Sequence, residues 1–149
     1  MKTIRATEVH IEAVSRLFDE YRQFYGQPSD PVRAREFIAA RVAHNESVIF
    51  LATDEDEGKA ALGFVQLYPS FSSVSMKRLW ILNDLYVSGA ARKRGVGKAL
   101  MERARQLAVD TDAKGLVLET AVDNHAAQAL YESLGYKREE EFHRYFLAV

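Results

Sequence analysis

The segment Arg92-Lys93-Arg94-Gly95-Val96-Gly97-Lys98 is the sequence's strongest chemical signal. The apolar run Leu85-Tyr86-Val87 precedes it and a helical pattern follows. Glycines let the backbone approach a ligand and point several N–H groups at it. The helix N-terminus adds a partial positive charge. Together these suit a diphosphate. Three phosphate-binding motifs compete. A P-loop needs Gly five residues before its Gly-Lys pair and Ser or Thr after the Lys, but position 92 is Arg and position 99 is Ala. A dinucleotide fingerprint needs a third Gly where Leu100 stands. What remains is Arg92-x-x-Gly95-x-Gly97. Just upstream, the polar pair Asn83-Asp84 interrupts an otherwise apolar strand, as a bulge beside a site does.

Other chemistries are thinly represented. The chain has no cysteine, which removes disulfides, thiolate metal sites and a Cys nucleophile, and fits a reducing compartment. His10, His44, His125 and His143 show no metal spacing, so no metal is expected. No Ser-His-Asp arrangement can be argued. The run Asp54-Glu55-Asp56-Glu57-Gly58-Lys59 lacks the ligand alternation and terminal Glu of a calcium loop and reads as a polar turn.

The elements that must position these residues follow from periodicity and punctuation. Lys2–Arg5 is a short strand. Ile11, Val14, Leu17, Phe18, Tyr21, Phe24 and Tyr25 form a helical stripe over 10–25. Gly26 to Pro31 ends it and starts a second helix, with Asp30 as N-cap and Pro31 in the first turn. Strands are expected over 47–53, 61–68 and 77–87, with a serine- and aromatic-bearing loop over 69–76. A helix over 97–111, a strand over 115–120 and a helix over 124–134 follow, the last ended by Gly135. Tyr136–Arg138 and Phe142–Leu147 read as closing strands. The order is βααβββαβαββ. The expected fold class is mixed α/β, a central twisted sheet of about six to seven strands flanked by four helices on both faces.

Length and composition set the frame. A chain of 149 residues predicts a single domain spanning 1–149. With 48% hydrophobic and 28% charged residues, disorder, collagen and coiled coil are poor whole-chain readings. No apolar run approaches the ~20 residues that span a bilayer. The opening residues turn polar too soon for a signal peptide. The expectation is a cytoplasmic protein without a membrane partner. Charge is uneven: residues 77–105 carry 8 basic and 2 acidic groups inside an acidic remainder. That pattern suggests a local anion site, whereas nucleic-acid binding calls for a more extensive basic stripe.

The loop Arg92-x-x-Gly95-x-Gly97 resembles the acyl-CoA loop of the GCN5-related N-acetyltransferases. The preceding Leu85-Tyr86-Val87 and the later segment Asp123-Asn124-His125-Ala126-Ala127-Gln128-Ala129-Leu130-Tyr131 fit the same pattern, as does the element order. Within that family, Trp80-Ile81-Leu82-Asn83-Asp84-Leu85-Tyr86-Val87 is similar to the yeast histone and polyamine acetyltransferase branch and to spermidine/spermine acetyltransferases.

The resemblance implies attack of an amine on the thioester of acetyl-CoA, and it assigns residues to four tasks. Backbone N–H groups of Lys93 to Lys98 hold the pyrophosphate, with Arg92, Lys93, Arg94 and Lys98 near the phosphates. Leu85, Tyr86 and Val87 pair with the pantetheine arm as an added strand would, and the Leu85 N–H bonds the thioester oxygen. Asn124, Ala127 and Tyr131 complete the cofactor side, with Tyr131 as acid for the departing thiolate. Asn124 and Tyr131 lie two helical turns, ~10.5 Å, apart on nearly one face. An amine with a pKa near ~10.4 must lose a proton before it attacks, and Asp84, directly or through water, is the acceptor. Asn83 stands where the polyamine enzymes place a Glu. Tyr25, Trp80 and Glu119 join Asn83 and Asp84 as acceptor contacts, within a wider aromatic wall of Tyr21, Phe24, Tyr68, Phe71 and Tyr145. The expected function is direct acetyl transfer to a small primary amine: a polyamine, a diamino acid or an amino-acid-like amine. A protein lysine is the enzymatic alternative, a CoA-binding sensor the non-enzymatic one. The resemblance allows a homodimer, and the sequence leaves the oligomeric state open.

Overall fold

The computed structural model describes residues 1–54 and 60–149. The polar turn expected from Asp54 runs almost wholly through residues outside that description. The chain divides into two units, Met1–Leu118 and Glu119–Val149.

The first unit carries one five-stranded sheet in the order β1-β2-β3-β4-β5. The strands are β1 (Lys2–Arg5), β2 (Val48–Thr53), β3 (Ala61–Ser72), β4 (Lys77–Val87) and β5 (Gly115–Leu118). The first four pair antiparallel. β5 pairs parallel with β4, which requires the crossover that α3 (Val96–Asp110) supplies. The expected mixed sheet is present, with five strands where six or seven are expected.

Helices cover both faces. α1 (Ile11–Phe24) and α2 (Pro31–Ala43) place Val14, Leu17, Phe18, Ala34 and Ile38 against Ile49, Leu51 and Phe64. The stripe expected for α1 is this buried face. Asp30 caps α2 as its position suggests, Oδ1 accepting from the Arg33 N–H at 3.2 Å. α3 lies on the opposite face, where Val96, Leu100, Met101 and Ala104 are buried and Arg103 covers the Phe50 ring at 4.6 Å.

β3 runs on through Pro69 to Ser72, so the loop expected over 69–76 contracts to a turn at 73–76. The physical reason lies in the neighbour. β2 begins at Val48, opposite Leu67, so from Tyr68 onward β3 is an edge on that side, where a proline is tolerated.

The second unit carries α4 (His125–Ser133). Gly135 donates to the Glu132 carbonyl and Tyr136 to the Tyr131 carbonyl, both at 3.1 Å, closing the helix end as its sequence suggests. The strands expected at Tyr136–Arg138 and Phe142–Leu147 do not form. Local residue types supply only one side of a ladder, and among the described residues no strand of the sheet pairs with these segments. Phe142, Tyr145, Phe146 and Leu147 are exposed.

Candidate active site

The β3–β4 register contains one irregularity, and the site is built around it. Gln66 lies opposite Asp84 and Leu67 opposite Leu82, leaving Asn83 as an extra residue. This is the bulge that the Asn83-Asp84 pair suggests. It brings two consecutive side chains together, the Asn83 Nδ2 donating to Asp84 Oδ1 at 3.1 Å. It also reverses the alternation of everything before it. In an unbroken strand Trp80 and Leu82 share a face with Asp84; here they take the other face.

Trp80 is therefore a correction. It is buried on the α3 side of the sheet, and its indole N–H donates to Thr111 Oγ1, at the end of α3, at 2.9 Å. Its polar atom is committed there, on the face away from Asp84, and it is no acceptor contact.

Asp84 is 4% exposed. Its Oδ2 accepts from Gln66 Nε2 at 2.7 Å. Gln66, which is fully buried, accepts in turn from the Ser47 hydroxyl at 2.8 Å. Burial pushes the Asp84 carboxyl above the usual carboxylate range, while hydrogen bonds from Gln66, Asn83 and Tyr21 pull it down. Burial also pushes the Tyr68 phenol up to about 12, with the Asp84 charge adding to the rise.

An aromatic group on α1 adjoins this carboxylate. Tyr21 packs edge-on to Tyr25 at 5.0 Å between ring centres and to Tyr86 of β4 at 6.3 Å, and Phe24 packs on Tyr25 at 5.3 Å. Tyr25 is 54% exposed at the end of α1. The Tyr86 phenol is raised by burial and by a hydrogen bond and charge from Glu20, with Arg92 opposing. Arg92 also stands over the Phe24 ring at 5.8 Å. Aromatic faces beside carboxylates suit a cation. Of the remaining wall expected from the sequence, Phe71 stacks with Arg78 at 5.1 Å near the far end of β3. Tyr145 is exposed in the second unit.

The cofactor strand and loop follow the bulge. β5 pairs with β4 only from Leu79 to Leu82. Leu85, Tyr86 and Val87 therefore pair with β3 on one side, and among the described residues of the first unit no strand pairs with their other edge, which leaves it to an extended amide chain. Beyond Val87, Lys93 and Gly95 adopt left-handed backbone, with φ of 63° and 77°. Gly95 then serves as N-cap of α3. A helix leaves its first N–H groups without intrahelical partners, here those of Val96, Gly97 and Lys98. Gly63 on β3 allows this corner to close: a Cβ there would sit 2.6 Å from the Tyr86 carbonyl oxygen and 3.3 Å from Val96 Cγ1. Arg94 is engaged by Asp54 at 2.8 Å. The open edge and the amide-lined helix start fit a pantetheine arm and a diphosphate in series.

In the second unit, Asn124 caps α4, its Oδ1 accepting from the Ala127 N–H at 3.2 Å. That commits one acceptor and one donor of the cofactor set to the helix start. The Tyr131 ring lies 6.1 Å from that of Tyr136. Glu119 is paired with Arg144.

Sequence reasoning does not single out Gln66, Ser47, Glu20 or Gly63. A lone amide inside the apolar run Leu62-Gly63-Phe64-Val65-Gln66-Leu67 is the one signal that could have marked Gln66 and, beside it, Gly63.

Comparison with known proteins agrees with this geometry. The family model of the acetyltransferase (GNAT) family matches residues 12–136. The chain is 46% identical over 137 residues to the uncharacterized N-acetyltransferase YhfO of Bacillus subtilis, covering 92% of this chain and 90% of that protein. It is 27% identical to the D-amino-acid N-acetyltransferase HPA3 of Saccharomyces cerevisiae, covering 89% and 83%. A crystal structure of a probable acetyltransferase superposes with a TM-score of 0.94 at 45% identity, covering 100% of this chain and 98% of that one. The chain belongs to the GNAT family of acetyltransferases.

Proposed function

We propose that the chain transfers the acetyl group of acetyl-CoA directly to a primary amine of a small, cationic acceptor. The observation that carries this reading is Asp84. It is a buried carboxylate at a bulge, next to the aromatic group of α1 and one residue before the open strand edge. A carboxylate whose pKa is raised by burial is a stronger base than a free one. The bound cofactor supplies the activated acetyl group. Leu85, Tyr86 and Val87 align the extended arm, the N–H of Leu85 meeting the thioester oxygen, while the amides from Lys93 to Lys98 hold the diphosphate. Asp84 takes the proton of the acceptor ammonium, directly or through one water. Tyr21 and Tyr25 offer ring faces to the cation, and Asn83 lies beside Asp84. The family resemblance assigns Tyr131 the proton for the departing thiolate. Without cysteine the chain offers no thiol to carry the acetyl group, which favours direct transfer.

Thiol release from acetyl-CoA, followed with a thiol-reactive dye across a panel of amines, tests the reading. The protein adds no thiol background. The panel holds polyamines, diamino acids and both enantiomers of simple amino acids, the last because the yeast relative acts on D-amino acids by name. Turnover with a small amine is the expected result. Turnover only with a lysine-bearing peptide would replace the small acceptor with a protein. Binding of CoA with no turnover on any amine would leave a sensor.

A further inference from the structure

Three polar side chains form a row across three neighbouring parts of the sheet. Ser47 stands just before β2, Gln66 in β3 and Asp84 in β4. The row is directional. The Ser47 hydroxyl donates to Gln66 Oε1, and Gln66 Nε2 donates to Asp84 Oδ2. Asn83 Nδ2 donates to the other carboxylate oxygen. Both oxygens of Asp84 thus face amide donors, and a protonated carboxyl would set its O–H against one of them. Gln66 cannot reverse its amide without turning Oε1 toward the carboxylate. Burying a full amide in an apolar strand is costly unless its hydrogen bonds are made. Here they are made at one end by the proposed base.

We propose that Gln66 is a positioning residue that holds Asp84 as an ionised, acceptor-only carboxylate, with Ser47 fixing the sense of the Gln66 amide. The inference rests on the reading of Asp84 as the proton acceptor. Burial alone drives this carboxyl toward its neutral form; the donors of the row and of Asn83 and Tyr21 oppose that drift. Around this end of the sheet stand Tyr68 on β3, with Arg41 of α2 and Glu46 just beyond it acting on Tyr68, and Tyr86 on β4, with Glu20 of α1 and Arg92 acting on Tyr86. Removing the Gln66 donor must raise the Asp84 pKa. The acidic limb of the rate profile then moves to higher pH, and activity lost at lower pH returns as the pH rises.

Two measurements on Gln66→Leu and Gln66→Glu test this. The first titrates the Asp84 side-chain carboxyl by 13C NMR, with the resonance identified by its loss in Asp84→Asn; it needs no acceptor. The second is the pH profile of kcat/KM with whichever amine is turned over. Gln66→Leu is expected to raise both apparent pKa values by about one pH unit, an about tenfold loss of rate below the limb. Gln66→Glu keeps the shape of the side chain and sets a second carboxyl beside the first; the shift should be at least as large. It keeps the test open if the Leu variant does not fold. Ser47→Ala should move the titration in the same direction by less. A lowered melting temperature with the Asp84 titration unmoved would reduce Gln66 to a structural filler and overturn the proposal. No turnover on any amine by the wild-type protein would overturn the reading of the base, and the NMR titration would still report on the row.

Discussion

On the proposed function, the loop from Arg92 to Lys98 and the row from Ser47 to Asp84 serve one reaction through different materials. The loop is a backbone device. What it offers a ligand is amide N–H groups, on a backbone that turns left-handed at Lys93 and Gly95. The row is a side-chain device. Its hydrogen-bonding atoms come from positions 47, 66 and 84, brought into line only by strand register. The first can be built from seven consecutive residues; the second needs three strands correctly paired. The two should also fail differently, the loop by losing cofactor and the row by losing turnover.

The largest effect should come from Asp84→Asn. The amide cannot take a proton, and its NH2 would face the Gln66 or Asn83 donors. General-base catalysis contributes ~10²–10⁴-fold, so kcat should fall by about that much while calorimetric CoA affinity stays within about twofold of wild type. If the variant lost CoA affinity instead, the division between loop and row would collapse, and Asp84 would be a cofactor contact.

Gly63→Ala strikes the place where the two regions join. Its Cβ would meet the Tyr86 carbonyl oxygen at 2.6 Å, a backbone atom that cannot swing away. β3 and β4 would have to part just where Asp84 and the cofactor edge are set. Overpacking of this kind costs about 1–3 kcal/mol, read as a lowered denaturant midpoint. Both CoA affinity and kcat should decline together, unlike in any variant confined to one region. A variant as stable as wild type would mean that the corner has slack the geometry does not show.

The same contrast explains what could be read in advance. The loop was legible because its signal is local: spacing of Gly95 and Gly97, a basic flank, a strand before and a helix after. Asp84 was legible as a polar interruption in an apolar strand, and the bulge followed from it. Gln66 and Ser47 were not, because nothing in a one-dimensional pattern says that 47, 66 and 84 share a face. Residue type alone places Trp80 in the aromatic wall, whereas the bulge turns it to the face away from Asp84. The closing strands expected at Tyr136–Arg138 and Phe142–Leu147 rest on local residue types, which are silent on whether a neighbouring strand exists.

Gly95→Ala tests the loop by itself. The φ of 77° puts an L residue in the left-handed region, at a cost of about 1–2 kcal/mol. A Cβ there meets no atom within 4 Å, so the strain is in the backbone and not in packing. CoA should bind about tenfold more weakly, while kcat at saturating cofactor should hardly move. A fall in kcat with unchanged affinity would sharpen the comparison in the opposite sense, making the loop a part of the chemistry.

The smallest effect concerns the charge on the loop. Arg94 pairs with Asp54 at 2.8 Å, and both side chains are well exposed. Such a pair contributes at most about 1 kcal/mol to stability, so Asp54→Asn should leave the melting temperature almost unchanged. It should nevertheless tighten CoA binding by about twofold at low salt, because the released guanidinium can turn to the phosphates and one negative charge leaves the neighbourhood. Arg94→Gln should weaken binding by a similar factor. Both effects should fade together as ionic strength rises toward 0.5 M, since exposed charges are screened over a few ångströms there. Opposite signs in the two variants would identify Arg94 as a loop charge held in reserve by Asp54. If both variants weaken binding alike, the ion pair itself shapes the loop, and the backbone device depends on a side-chain contact after all.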